Sequence, residues 1–208
     1  FRYSFHFFKK KKLKKKYQNE MEGLSKEQQL YVDDLRLSVR ELVAAHVDGS
    51  PVTSAEVFSR RLLFQIEENL ALGLRSGVLF DSSLWGWLSS LPICLPDSES
   101  VVSRVRSLAR SDAARARVFI RLTLNNKSFT QYLRALSWNS KLCSEFYEPY
   151  SFPAREVPMT ALISSLEPLL SLTFKLWTTD PDLENSDYWS TVDLAVPNPK
   201  GKAVVATA

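Results

Sequence analysis

Five arginines, Arg106, Arg110, Arg115, Arg117 and Arg121, fall within sixteen positions and are the side chains best suited to recognition chemistry. A guanidinium is planar and permanently charged, and its fork of donors matches a carboxylate in a core or at an interface. Arg117 and Arg121 stand one helical turn apart on one face, and Arg106 and Arg110 share a face of the preceding segment. Two roles follow. As a basic ridge they would meet an acidic partner, and Arg117→Glu would then abolish capture without unfolding the protein. As internal partners, Arg115 or Arg117 would meet Glu67 or another acid, because buried charges must be paired. The same substitution would then unfold the protein.

Little else in the chain is equipped for chemistry. The only histidines, His6 and His46, have no candidate partner nearby in sequence. His46 sits near the end of a helical segment, where a cation favours the dipole and a capping or surface role is expected. Glu67 and Glu68 lie mid-helix and do not form a general acid–base pair. Cys94 and Cys143 match no metal spacing, and two distant cysteines suggest buried thiols in a reducing compartment. No nucleophile motif, phosphate loop, dinucleotide fingerprint or HExxH is present. Trp138, Phe146, Tyr147, Tyr150 and Phe152 form a dense aromatic cluster. Aromatics beside arginine are hot-spot chemistry, although core packing is the expected role of most of them.

Helices must position these residues. Ser25 and Gln28 make a capping box ahead of a stripe carrying Leu30, Leu35, Leu37, Val39, Leu42 and Val43, stopped by Gly49 and Pro51. Thr53 and Glu56 make a second box, before a face of Phe58, Leu62, Ile66, Leu70 and Leu74. Gly73 and Gly77 allow close packing and then an exit. A short buried helix is expected over 81–91, and another over 98–110. Asp112 is placed to cap the arginine-bearing helix, which runs to Asn125-Asn126. Two short helices follow over 128–137 and 139–147, ended by Glu148-Pro149. A long apolar helix over 157–177 should break or kink at Pro168. No strand or hairpin pattern and no internal repeat stands out. The expectation is an all-α fold, a single compact bundle of about seven or eight helices.

The 208 residues are 45% hydrophobic and 24% charged, ordinary globular values. The net charge of +4 is a property of one end. Residues 1–20 hold eight basic side chains and one acid, leaving residues 21–208 at −3. Nucleic acid is therefore not the expected partner. Residues 1–20 read as a basic, aromatic, disordered tail, with an arm touching anionic lipid as the alternative. Residues 25–190 read as the helical domain and 191–208 as a frayed tail. The most apolar stretch, 77–95, is too interrupted to span a membrane.

Three blocks together resemble the RUN domain family. In Leu62–Leu74, LLFQIEENLALGL, the positions Leu62, Ile66, Glu67, Leu70, Gly73 and Leu74 match, with Leu63 where Cys is common and Leu72 where His is common. In Ala114–Asn126, ARARVFIRLTLNN, Arg115, Arg117, Arg121, Leu124 and Asn125 match, with Phe119 in place of Trp. The third block, Tyr132–Phe152, contains its most specific part, Phe146-Tyr147-Glu148-Pro149, and Asp180-Pro181-Asp182-Leu183 fits the closing segment. The resemblance covers roughly residues 28–185. It implies a helical bundle with no catalytic site and no obligatory cofactor. It also implies binding to a small GTPase of the Rab, Rap or Arf-like type, in adaptors of endosome or vesicle traffic. Arg110, Arg115, Arg117 and Arg121 are the candidate contacts. A nucleotide-independent scaffold for a coiled-coil, motor or cytoskeletal protein is the alternative. The implied location is cytoplasmic, with peripheral association to endosomal or vesicle membranes.

Overall fold

The computed structural model describes residues 23–77, 80–185 and 187–191; the expected tail 1–20 and, beyond Thr191, the expected tail 191–208 lie outside the described residues. The fold is an all-α bundle.

Helix α1 spans Lys26–Ala45 and begins at the expected capping box. The Ser25 hydroxyl accepts from Gln28 N at 3.2 Å, and Gln28 Oε1 accepts from Ser25 N at 3.2 Å. Its buried stripe is Val32, Leu35, Val39 and Leu42, while Leu30 and Leu37 are 67% and 45% exposed. Two residues along a helix is a turn of about 200°, so positions two away from the core stripe point outward.

Helix α2 spans Val57–Ala71 and buries Leu62, Leu63, Ile66 and Leu70 against α1. The Thr53–Glu56 box is not the cap of this helix. Glu56 Oε1 accepts from Thr53 N and Oγ1 at 2.8 and 2.9 Å, but Glu56 is itself the N-cap residue and makes no side-chain capping bond. Its other oxygen lies 2.8 Å from His46 Nε2, and His46 Nδ1 is 2.9 Å from Leu42 O. His46 thus ends α1 as expected, but buried rather than at the surface.

Short helices α3 (Leu84–Leu88) and α4 (Leu91–Cys94) lead through a 3-10 turn at Pro96–Ser98 into α5 (Glu99–Leu108). Helix α6, Asp112–Asn125, is the central element, packed by α3 on one side and α5 on another. Ser111, not Asp112, caps it, its hydroxyl accepting from Ala114 N at 3.2 Å. Helices α7 (Phe129–Trp138) and α8 (Ser140–Phe146) follow. Helix α9 is only Glu156–Leu166. The long apolar run continues as a 3-10 turn over Glu167–Ser171, because Pro168 lacks the amide proton an α-helix would use there.

Short strands, absent from the sequence-based expectation, complete the fold. β1 (Val52–Thr53) pairs in parallel with β4 (Phe174–Lys175), and β2 (Ser76–Gly77) pairs antiparallel with β3 (Phe80–Asp81). Two residues are too few to show an alternating pattern. After a 3-10 turn at Pro181–Glu184 comes a further helical turn, α10, Tyr188–Thr191. This stretch buries Leu183 and Tyr188 in the core. Among the described residues no helix is long and apolar enough to cross a membrane.

Candidate interaction site

The structure divides the arginines of the second block into two groups. Arg117 and Arg121 project from α6 into the protein and are 4% and 2% exposed. Arg117 Nε donates to both Glu67 oxygens of α2, at 3.2 and 3.3 Å. Its Nη1 donates to Leu183 O at 2.9 Å and Asn185 O at 2.7 Å. One guanidinium thus ties three elements together. Arg121 Nη1 donates to Arg117 O at 3.1 Å and its Nη2 to the Tyr188 hydroxyl at 3.1 Å. Both guanidinium carbons lie over the Tyr188 ring, at 5.2 and 5.5 Å from its centroid. Trp189 Nε1 donates to Glu67 Oε2 at 2.7 Å, closing the network.

Glu67 is therefore surrounded by donors yet largely removed from water. Burial raises its carboxyl above the ordinary value of 4.5, against the opposing pull of Arg117 and the Trp189 and Arg117 hydrogen bonds. Arg121 shifts down for the same reason, its desolvation outweighing Tyr188 and Glu67. A carboxyl raised in the folded state contributes stability that is complete below the unfolded value and is lost as pH rises through the folded one. The stability of the wild type relative to Glu67→Gln is accordingly expected to fall as pH rises from about 4.5. Urea midpoints of the two proteins at acid and neutral pH check this; a gap that does not change with pH contradicts it.

Arg110 and Arg115 sit differently. Arg110 is exposed at the junction of α5 and α6, with Arg104 and Arg106 on the last turns of α5. Arg115 is half-buried; its Nε donates to Ala109 O at 3.2 Å and its Nη1 to Asp112 Oδ1 at 3.2 Å. Glu184 braces the junction, accepting from the Arg110 and Ser111 backbone amides at 2.7 and 3.0 Å. Those two bonds hold its carboxyl below the ordinary range. The result is an arginine-rich surface interrupted by Glu99, which meets Arg106 at 3.7 Å, and by Asp112.

The remaining motif residues form the joint beneath. Gly73 follows α2 with φ +77°, and its carbonyl accepts from Glu148 N at 2.8 Å. Tyr147 is buried, donates its hydroxyl to Leu70 O at 2.7 Å and meets Trp87 edge-on, centroids 5.2 Å apart. Burial pushes its phenol well above the ordinary range. Arg75 N donates to Phe146 O at 2.9 Å and Arg75 Nε to Tyr147 O at 3.0 Å. The first and third blocks thus meet as backbone against backbone around a single Leu74–Tyr147 bridge, and Pro149, with no amide proton, cannot extend it.

Sequence reading missed Tyr188 and Trp189. The available signal was an aromatic pair inside a polar stretch. Of the five clustered aromatics, Phe146, Tyr147 and Phe152 pack in or against the core, whereas Trp138 and Tyr150 are exposed, Trp138 at 84%.

The profile of the RUN domain matches residues 59–180. Protein RUFY3 of Homo sapiens is 26% identical over 127 residues, covering 58% of this chain and 27% of that protein. RUN and FYVE domain-containing protein 2 of Homo sapiens is 28% identical over 127 residues, covering 58% of this chain and 21% of that protein. The chain thus spans roughly a quarter of the length of the curated relatives it matches.

Proposed function

The chain belongs to the RUN domain family, and from that premise we propose that it is a non-catalytic interaction module that captures a small GTPase of the Rab, Rap or Arf-like type. The setting would be an adaptor acting peripherally on endosomal or vesicle membranes. The functional unit is residues 25–190, since Tyr188 and Trp189 complete the arginine network on α6. The observation that carries the reading is the division of the arginines. Arg117 and Arg121 hold the closing segment from inside, which fixes α6 and presents Arg110 and Arg115 on its outer end. Arg106, on α5, adds a further exposed guanidinium beside this junction. Guanidinia at a rigid helix junction suit the carboxylates and phosphate-bearing faces of an acidic partner.

The double variant Arg110→Glu/Arg115→Glu tests this. Capture of GTP-loaded members of a Rab, Rap and Arf-like panel is expected to weaken by about tenfold or more, as desolvated charge contacts do when reversed. The melting temperature should stay close to that of the wild type, because neither side chain is in the core. Equal capture of GDP and GTP forms across the panel would instead favour the nucleotide-independent scaffold.

A further inference from the structure

Helix α7 buries Phe129, Thr130, Leu133 and Leu136 and turns its other face to solvent. That outer face is Gln131, Arg134, Ala135 and Trp138, spaced three, four and seven residues apart, so it is one stripe about two turns long. Trp138 ends the stripe and is 84% exposed. An indole left in water forgoes one of the largest burial gains any side chain can make. Nothing in the packing of α7 requires it there, since the helix is already anchored by its inner face.

The surface around the stripe is concave. A groove of about 720 Å³ runs between α4, α7 and the start of α8, bordered by Leu95, Arg134, Ala135, Trp138 and Lys141. Ala135 forms its floor on α7, a small residue between an arginine and a tryptophan. Among the described residues its lining carries two cations, Arg134 and Lys141, and no carboxylate. Arg134 is braced from outside the groove by an ion pair with Glu167. On the far side of Trp138 lies a second groove of about 550 Å³, so the indole stands as a ridge between two depressions.

We propose that this face is a second docking surface, for an amphipathic helix of a partner protein whose apolar stripe is flanked by Asp and Glu. In the first groove Lys141, beside the Glu167-paired Arg134, selects the acidic flanks, while Glu156 is confined to the second groove. A helical stripe with a small residue beside a large anchor is the shape that accepts another helix. Tryptophan and arginine in a rigid setting are the residues that dominate such interfaces. Neither Arg110 nor Arg115 borders the two grooves, so the surface is distinct from the proposed GTPase contact.

The probe is a synthetic helical peptide of about four turns with leucines along one face and glutamates beside them. A counterpart carrying lysine for glutamate is the control. Binding is followed by fluorescence anisotropy and by the indole N–H resonance of Trp138, assigned with Trp138→Phe. The acidic peptide is expected to bind, to shift that resonance, and to weaken as salt rises. Trp138→Ala and Lys141→Glu should each reduce affinity by about tenfold. Both side chains are exposed, so both variants should keep the wild-type circular dichroism, and either alone decides the question should the other fail to fold. Arg110→Glu/Arg115→Glu should bind the peptide normally, which separates failure here from failure of the GTPase reading. Equal binding of the two peptides, no binding of the acidic one, or indifference to both variants overturns the proposal. So does sedimentation with phosphatidylcholine–phosphatidylserine vesicles in the absence of peptide binding, which would make this a lipid-facing surface.

Discussion

Arg117→Glu is expected to unfold the domain or bring it close to unfolding. The guanidinium it removes satisfies Glu67 and two backbone carbonyls, Leu183 O and Asn185 O. The carboxylate it installs stands beside Glu67 in an interior that already disfavours one charge. Breaking a buried pair from one side costs about 3–5 kcal/mol, and a second like charge adds to that. Against a typical total of about 5–15 kcal/mol, the loss is large. The melting temperature should fall by about 10 °C or more, read by circular dichroism or calorimetry. A melting temperature within about two degrees of the wild type would place Arg117 outside the core energetics and return it to the ridge role. Arg117→Met/Glu67→Gln should recover part of the loss, because the pair is removed together, and a double-mutant cycle measures the coupling. For partner studies the consequence is practical: Arg117 variants are expected to report on folding, so the proposed partner contact is to be tested at Arg110 and Arg115.

Gly73→Val should be nearly as damaging, for a different reason. At φ +77° an L side chain is strained wherever it sits, and here a Cβ would meet Ser151 Cβ at 2.8 Å and Tyr150 Cε2 at 3.3 Å. Left-handed backbone strain of about 1–3 kcal/mol combines with overpacking of about 1–3 kcal/mol. The expected loss is about 2–5 kcal/mol in chemical denaturation. Gly49 is the internal control. Its φ is +79°, but nothing lies within 4 Å of its absent Cβ. Gly49→Ala should therefore cost only the strain, about 1 kcal/mol. Equal losses at the two positions would mean that the contact with residues 150 and 151 is not what fixes Gly73.

The helices were legible because their signals are local. The Ser25–Gln28 box, the stripes of α1 and α2 and the proline in the 157–177 run each lie within a few turns of chain. The family resemblance was legible because Glu67, Arg117 and Phe146-Tyr147-Glu148-Pro149 keep their order and types. What those residues touch was not. The Glu67–Arg117 pair was one of two readings, since an arginine on a helix carries no label for inside or outside. The aromatic cluster illustrates the same limit. Tyr147 and Phe152 are fully buried and Trp138 is not, although all three are large aromatics within fifteen positions. Trp138 ends α7 while Tyr147 and Phe152 follow α8, so no helical period assigns their faces and their burial is decided by tertiary packing. The β1–β4 pair joins residues whose partners no local pattern could announce.

The closing turn at Tyr188 and Trp189 also bears on how the domain is made. Trp189 reaches back across 122 residues to Glu67, and Tyr188 across 67 to Arg121. On the ribosome, α2 and α6 emerge well before the aromatic pair that covers their charges. Until it arrives, Glu67 and the two guanidinia face water, and the nascent chain has little reason to close its core around them. Chains ending before Tyr188 are therefore expected to leave the Glu67 and Arg121 contacts open, and to be more susceptible to proteolysis than the full chain.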